Sequence, residues 1–186
     1  IAVIGQPLAC WVLGAMRRWL LMKHDMSRYV LKLDASQDIY RINADWAGRP
    51  PLLAVSAADL AWSDGQFAEL GLPHGAWFVC VHVREPGFSP ADEAAHSYRN
   101  SDPRALRAAM AEIVRRGGWC VRMGDPTMTM LEPMPGVIDY AHHRLRSGRL
   151  DVLLCARARF FLGNTSGLTL VSSVFGVPSA LANLVP

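Results

Sequence analysis

Lysine is nearly absent from this 186-residue chain: of 19 basic residues only Lys23 and Lys32 are lysines, and the rest are arginines. There is no basic block, no zinc-finger spacing and no RNA-binding aromatic signature, and a net charge of +3 is mild. A nucleic-acid partner is not expected from such a chain. Cysteine is sparse as well. Cys10, Cys80, Cys120 and Cys155 are far apart and form no CxxC pair, which excludes a disulfide framework and a cysteine metal site. They read as small buried hydrophobes in a reducing, cytoplasmic setting. No stretch approaches the roughly 20 apolar residues of a membrane span. Charge is low at 19% and hydrophobic content high at 51%, the balance of a folded globular chain.

What is present is a stretch around which the rest can be arranged: Phe160-Phe161-Leu162 running into Gly163-Asn164-Thr165-Ser166-Gly167, then an apolar run from Leu168 to Phe175. This predicts a buried strand, a tight turn and a helix. The first amides of a helix lack internal partners and carry partial positive charge, so such a turn suits an anion, most often a phosphate. On the local pattern alone, an ordinary turn capped by Thr165 or Ser166 is the simpler reading.

The chain opens at Ile1 on a short strand without a lead-in, which reads as a piece of something longer. Leu8 to Lys23 has Trp11, Ala15, Met16, Trp19 and Leu20 at helical spacing, with Arg17 and Arg18 off that stripe. It predicts a core-facing helix, although Trp and Arg together also suit peripheral attachment to a membrane surface. A short helix is expected over Asp34 to Tyr40. Ser56 to Leu70 predicts a helix capped by Ser56, and a domain boundary is placed near residue 75, dividing a partial N-terminal domain (1–75) from residues 76–186.

After that boundary, strands are expected at 77–83, 119–125, 137–140, 159–162 and from Pro178. Helices are expected from Asp102-Pro103, over 150–156 and over 166–175. Strand and helix alternate, so the fold class is α/β: a Rossmann-like parallel sheet with flanking helices and right-handed crossovers. Ligands bind at the carboxyl ends of such strands, and the polar residues gather there. His82 and Arg84 end the first strand, Gly124 and Asp125 the second, Asp139 and Tyr140 the third, Asn164 to Ser166 the fourth. Arg84 beside Glu85 could equally be a surface ion pair, and His82 a structural histidine. Arg122 lies mid-strand and is expected either to function or to pair with Asp125 or Asp139. Tyr98, Arg99 and Asn100 lie in a long loop, of the kind that often carries function. His142 and His143 are adjacent and make a poor metal pair; no metal ligand set is apparent.

The motifs HVRE, SYRNSD, GGWCVRMGD, VIDYA and FFLGNTSGLTLVSSVFGVP, in this order over residues 77–186, resemble a family of bacterial glycosyltransferases of GT-B architecture, associated with surface polysaccharide and lipopolysaccharide assembly. The last motif resembles the Ser/Thr-Gly turn of heptosyltransferases, and His82-x-Arg84 the fucosyltransferase pattern in which the arginine meets the nucleotide diphosphate. The resemblance fades over residues 1–75. It implies that residues 76–186 are the donor-binding half, truncated, with His82, Arg84, Asn164, Thr165, Ser166 and Gly167 at the phosphates. Tyr98, Arg99, Asn100, Arg122, Asp125, Asp139 and Tyr140 would supply further donor contacts. The implied activity is transfer of a sugar from a nucleotide-diphosphate sugar to a cell-envelope glycan or lipid-linked acceptor, at the inner face of the membrane, with no metal or other cofactor. A GT-B nucleotide-sugar epimerase and a non-catalytic nucleotide- or glycan-binding domain are the alternatives. No residue stands out as the general base; Asp34, Asp38 and Asp45 are available.

Overall fold

The computed structural model describes residues 48–87 and 96–183, together with Ala15, Met16, Trp19 and Glu93. The expected strand at Ile1 to Gly5, the helix at 34–40 and most of the helix at 8–23 lie outside the described residues, as do Asp34, Asp38 and Asp45. Ala15, Met16 and Trp19 are helical. Two compact units are present, Ile1–Arg49 and Pro50–Pro186, and the architecture that follows is that of the second.

Five parallel strands form one sheet: β1 (Phe78–His82), β2 (Trp119–Arg122), β3 (Val137–Ile138), β4 (Phe160–Gly163) and β5 (Ser179–Leu181), in the order β3-β2-β1-β4-β5. This is an α/β, Rossmann-like sheet. The order reverses between β1 and β4, which makes that edge the topological switch point where ligands of doubly wound folds bind.

Among the described residues, helices that flank the sheet are α1 (Ala57–Glu69), α2 (Arg107–Arg115), α3 (Gly148–Arg157) and α4 (Gly167–Val174). Their starts follow local chemistry. Ser56 caps α1 by accepting from the Asp59 amide. Asp102 caps a 3-10 turn, Pro103–Leu106, that leads into α2, with proline where a helix has no need of an amide donor. Ser147 accepts from the Leu150 amide to start α3.

The central strand β1 is buried along its whole length, and its side chains alternate between two cores, as the pleat requires. Phe78 and Cys80 join Phe67, Val121, Met123, Tyr140, Leu154 and Phe161 on the face covered by α1, α3 and α4. Val79, Val81 and Val83 join Leu106, Met110, Ile113 and Cys120 on the α2 face. Cys80, Cys120 and Cys155 are buried free thiols.

Helix α1, placed by the sequence on the far side of a boundary near residue 75, belongs to this unit. The Phe67 ring meets Phe78 edge-on at 5.3 Å. Arg149 of α3 bonds Asp59 at 2.7 Å and lies 4.1 Å over the Trp62 ring. The third strand is shorter than expected, because Asp139 leaves the ladder and Tyr140–His142 turn into a 3-10 helix.

Candidate functional site

A cleft of about 480 Å³ opens at the carboxyl ends of β1, β2 and β4, a size typical of small-molecule sites. Its lining includes His82, Arg84, Glu85, Arg99, Gly124, Asp125, Thr165, Ser166 and Gly167, with Met128, Arg146, Asp151 and Leu168 around them.

The closeness of β1 and β4 sets its floor. Gly163 stands opposite His82 in the register, and a β-carbon on Gly163 would run into the His82 carbonyl oxygen. Only glycine allows this approach. The chain then turns through Asn164 into α4. Ser166 occupies the N-cap position of α4, but its side chain makes no capping bond; its hydroxyl faces Thr169 Oγ1 at 3.4 Å. The capped-turn alternative is therefore not what the structure has, and among the described residues no side chain takes the first amides of a helix that opens on the cleft.

Asn164 is 1% exposed and ties three segments together. Its Oδ1 accepts from the Arg84 amide at 2.9 Å, and its Nδ2 donates to the Arg99 carbonyl at 2.8 Å and to Ser101 Oγ at 3.5 Å. Arg99 in turn donates to the Thr165 carbonyl at 2.8 Å and to Thr165 Oγ1 at 3.3 Å. The long loop is thus stitched to the β4–α4 turn, bringing Arg99 into the cleft.

Arg84 donates through Nε to Asn100 Oδ1 at 3.3 Å. Among the described residues it has no carboxylate partner, because Glu85 turns away. The Glu85 Oε1 meets Arg122 at 2.5 Å and its Oε2 accepts from the Thr129 amide. Neither Arg99 nor Arg146 has a carboxylate partner among the described residues. Among the described residues, three arginines therefore reach one cleft without a direct ion pair.

His82 is 6% exposed, and its Nδ1 donates to the Met123 carbonyl at 3.1 Å. A carbonyl only accepts, so Nδ1 carries the hydrogen and the neutral ring leaves Nε2 as an acceptor. Burial holds the imidazole below its ordinary pKa, against the opposing effect of that carbonyl bond. Asp125 is pushed up by partial burial, but the Thr127 hydroxyl and amide, with Arg146 and Arg122 nearby, outweigh this and hold its carboxyl below the ordinary range.

Of the residues singled out in the sequence, the cleft brings together His82, Arg84, Arg99, Asp125, Thr165, Ser166 and Gly167. Asn164 and Asn100 act one step back; Asn100 joins Arg84 to Glu93. Tyr98 is 55% exposed and not among the lining residues.

Arg122, Asp139 and Tyr140 are built into the protein rather than the lining. Arg122, 2% exposed, bonds Glu85 and, at 3.1 Å, Asp139. Asp139 also accepts from the Leu131 amide at 3.0 Å and faces His142 Nδ1 at 2.9 Å. Tyr140 is wholly buried, its hydroxyl exchanging bonds with the Ser147 backbone.

Arg146 and Asp151 line the cleft without having been marked in the sequence. Arg146 sits in an unpatterned loop. Asp151 lies in the first turn of α3, where an acidic residue is expected from the helix dipole alone.

Among the described residues no group of three or more His, Cys, Asp or Glu could hold a metal ion, and no helix is long and apolar enough to cross a membrane. Comparison with protein-family models, with curated proteins and with solved structures finds no match for this chain.

Proposed function

We propose that this chain carries the donor-binding site of a GT-B glycosyltransferase, which moves a sugar from a nucleotide-diphosphate sugar to a cell-envelope glycan or lipid acceptor. The observation that carries the reading is the set of arginines without a carboxylate partner among the described residues, Arg84 above all, placed with the start of α4 in one cleft at the switch point of the sheet. In such a transfer the bond between the anomeric carbon and the diphosphate oxygen breaks, its electron pair stays on that oxygen, and the acceptor hydroxyl oxygen bonds the carbon while its proton passes to water or to the leaving diphosphate. The charge gathering on the leaving diphosphate needs preorganised donors. A helix start offers an anion about 0.3–2 kcal/mol, and a charge-assisted arginine bond about 1.5–3 kcal/mol. A helix start with two such arginines sums to about 3–8 kcal/mol, which spans millimolar to micromolar binding.

The test is turnover: the protein is incubated with UDP-, GDP-, ADP- and CDP-sugars and bacterial envelope glycans, and free diphosphate and glycosylated product are followed by mass spectrometry. Diphosphate release matched by a mass gain on an acceptor is expected. Epimer formation without acceptor would reassign the site to an epimerase, and saturable binding without any turnover would reduce it to a binding domain.

A further inference from the structure

One group in the cleft has the wrong hydrogen-bonding sense for an anion. The side chains of β1 alternate, so His82 stands on the same side of the sheet as Phe78 and Cys80, the side covered by α1, α3 and α4. That is where α4 begins, and Thr165, Ser166 and Gly167 share the cleft lining with His82. The ring is pinned at one nitrogen, Nδ1 donating to the Met123 carbonyl at 3.1 Å. The other, Nε2, bonds none of the described residues and is not sealed in the interior; it opens on the cleft. In the neutral ring that nitrogen presents a lone pair. A phosphate oxygen is an acceptor too, and two acceptors repel. The contact becomes favourable only when a hydrogen stands between them.

Resting on the nucleotide-sugar reading above, we propose that His82 takes up a proton when the diphosphate enters, so that donor binding and charging of the imidazole are one event. A proton from solvent bonds Nε2, and the new N–H donates to a phosphate oxygen. The Nδ1–H bond to Met123 is kept throughout, so the ring has no need to turn.

The charges around the ring set the direction. In the empty cleft, burial lowers the pKa of His82 most, and Arg122 on β2 adds to this, against the Met123 carbonyl bond and the carboxylates of Glu85 and Asp125. Arg84, Arg99 and Arg146 are further cations of the lining, and Asp151 is its remaining carboxylate. A diphosphate reverses this balance. It sets negative charge against the ring and answers the arginines, and both changes favour the imidazolium. The site therefore tightens as pH falls through neutrality. A site built from arginine alone would not, because arginine keeps its charge.

The experiment is calorimetric titration of the full chain with UDP-glucose, GDP-mannose, ADP-glucose and CDP-glucose, ligands with no group that titrates near neutral pH. Each is run near pH 6.5 in two buffers of different ionisation enthalpy, so that the difference in heat counts the protons taken up. Wild type should take up about half a proton or more per ligand bound, and should bind up to about tenfold tighter for each unit that pH is lowered between 8 and 6. His82→Gln should take up none and show nearly flat affinity. Binding without proton uptake would overturn the proposal and leave the donor site standing. Uptake undiminished in His82→Gln would also overturn it, by assigning the proton to a carboxylate such as Asp151. Failure of wild type to bind any of the four would bring down the donor-site reading and this proposal with it. Histidine ring NMR of wild type gives a check that needs no variant: a ring held as the Nδ1–H tautomer should titrate at higher pH once the ligand is bound, and no such movement would contradict the proton uptake.

Discussion

The same carboxyl edge of one sheet carries two clusters built from the same residue types, and they differ in whether their charges are answered. At β2 and β3, Arg122, Glu85, Asp139 and His142 form a closed network in which each charge has a partner and the remaining oxygens accept the Thr129 and Leu131 amides. At β1 and β4, Arg84, Arg99 and Arg146 reach a cleft with no carboxylate partner among the described residues. The closed cluster holds the segment after β2 in place: His142 Nε2 also bonds the Met128 carbonyl, and Met128 forms part of the cleft wall. A charge at the ligand edge of an α/β sheet therefore does not by itself mark a functional residue, and what separates the two clusters is whether the charge is answered.

Breaking the closed cluster should do the most damage. Arg122→Leu leaves Glu85 and Asp139 without their cation, and removing one partner of a buried pair typically costs about 3–5 kcal/mol. Urea unfolding should show a loss of that order, and a loss below about 1 kcal/mol would mean the network is not structural. Asn164→Ala strips bonds from the Arg84 amide and the Arg99 carbonyl. A stability loss of about 1–3 kcal/mol is expected, together with weaker diphosphate binding, since both arginines lose their tether; stability loss with unchanged affinity would contradict the positioning role.

A smaller effect concerns pH. Burial depresses the His82 pKa below its ordinary 6.5, so the folded state binds its proton less readily than the unfolded state. The stabilisation is fully present above pH 6.5 and declines as pH falls from there toward the folded value. His82→Gln should flatten the stability profile between pH 7.5 and 5.5 relative to wild type, and equal slopes for the two proteins would contradict the buried neutral imidazole.

The fold was largely legible because its signals are local. Trp77 to Val83 is apolar on both faces, as a central parallel strand must be, and Ser56, Asp102-Pro103 and Gly117-Gly118 mark helix ends by capping chemistry that needs no tertiary context. The edge at which ligands bind followed from strand–helix alternation. What could not be read was which polar residues at that edge face inward. Arg84 and Arg122 look alike in sequence, and only the pairing of strands shows that Glu85 crosses to Arg122 and leaves Arg84 open. Asp139 is claimed by Arg122, Leu131 and His142, while Asp151, which lines the cleft, is hidden among ordinary first-turn acids. The α1 helix joins this unit through contacts with α3 that lie about 90 residues away in the chain, as between Asp59 and Arg149, a separation no local pattern reveals.

The claim that the open cluster is a diphosphate site is tested most directly by titrating wild type and Arg84→Ala with a nucleoside diphosphate and with the matching nucleoside. Loss of the charge-assisted bonds should weaken the diphosphate more than tenfold and leave the nucleoside nearly unchanged, with no change in melting temperature. Equal weakening of both ligands, or a diphosphate affinity indifferent to Arg84, would contradict the account.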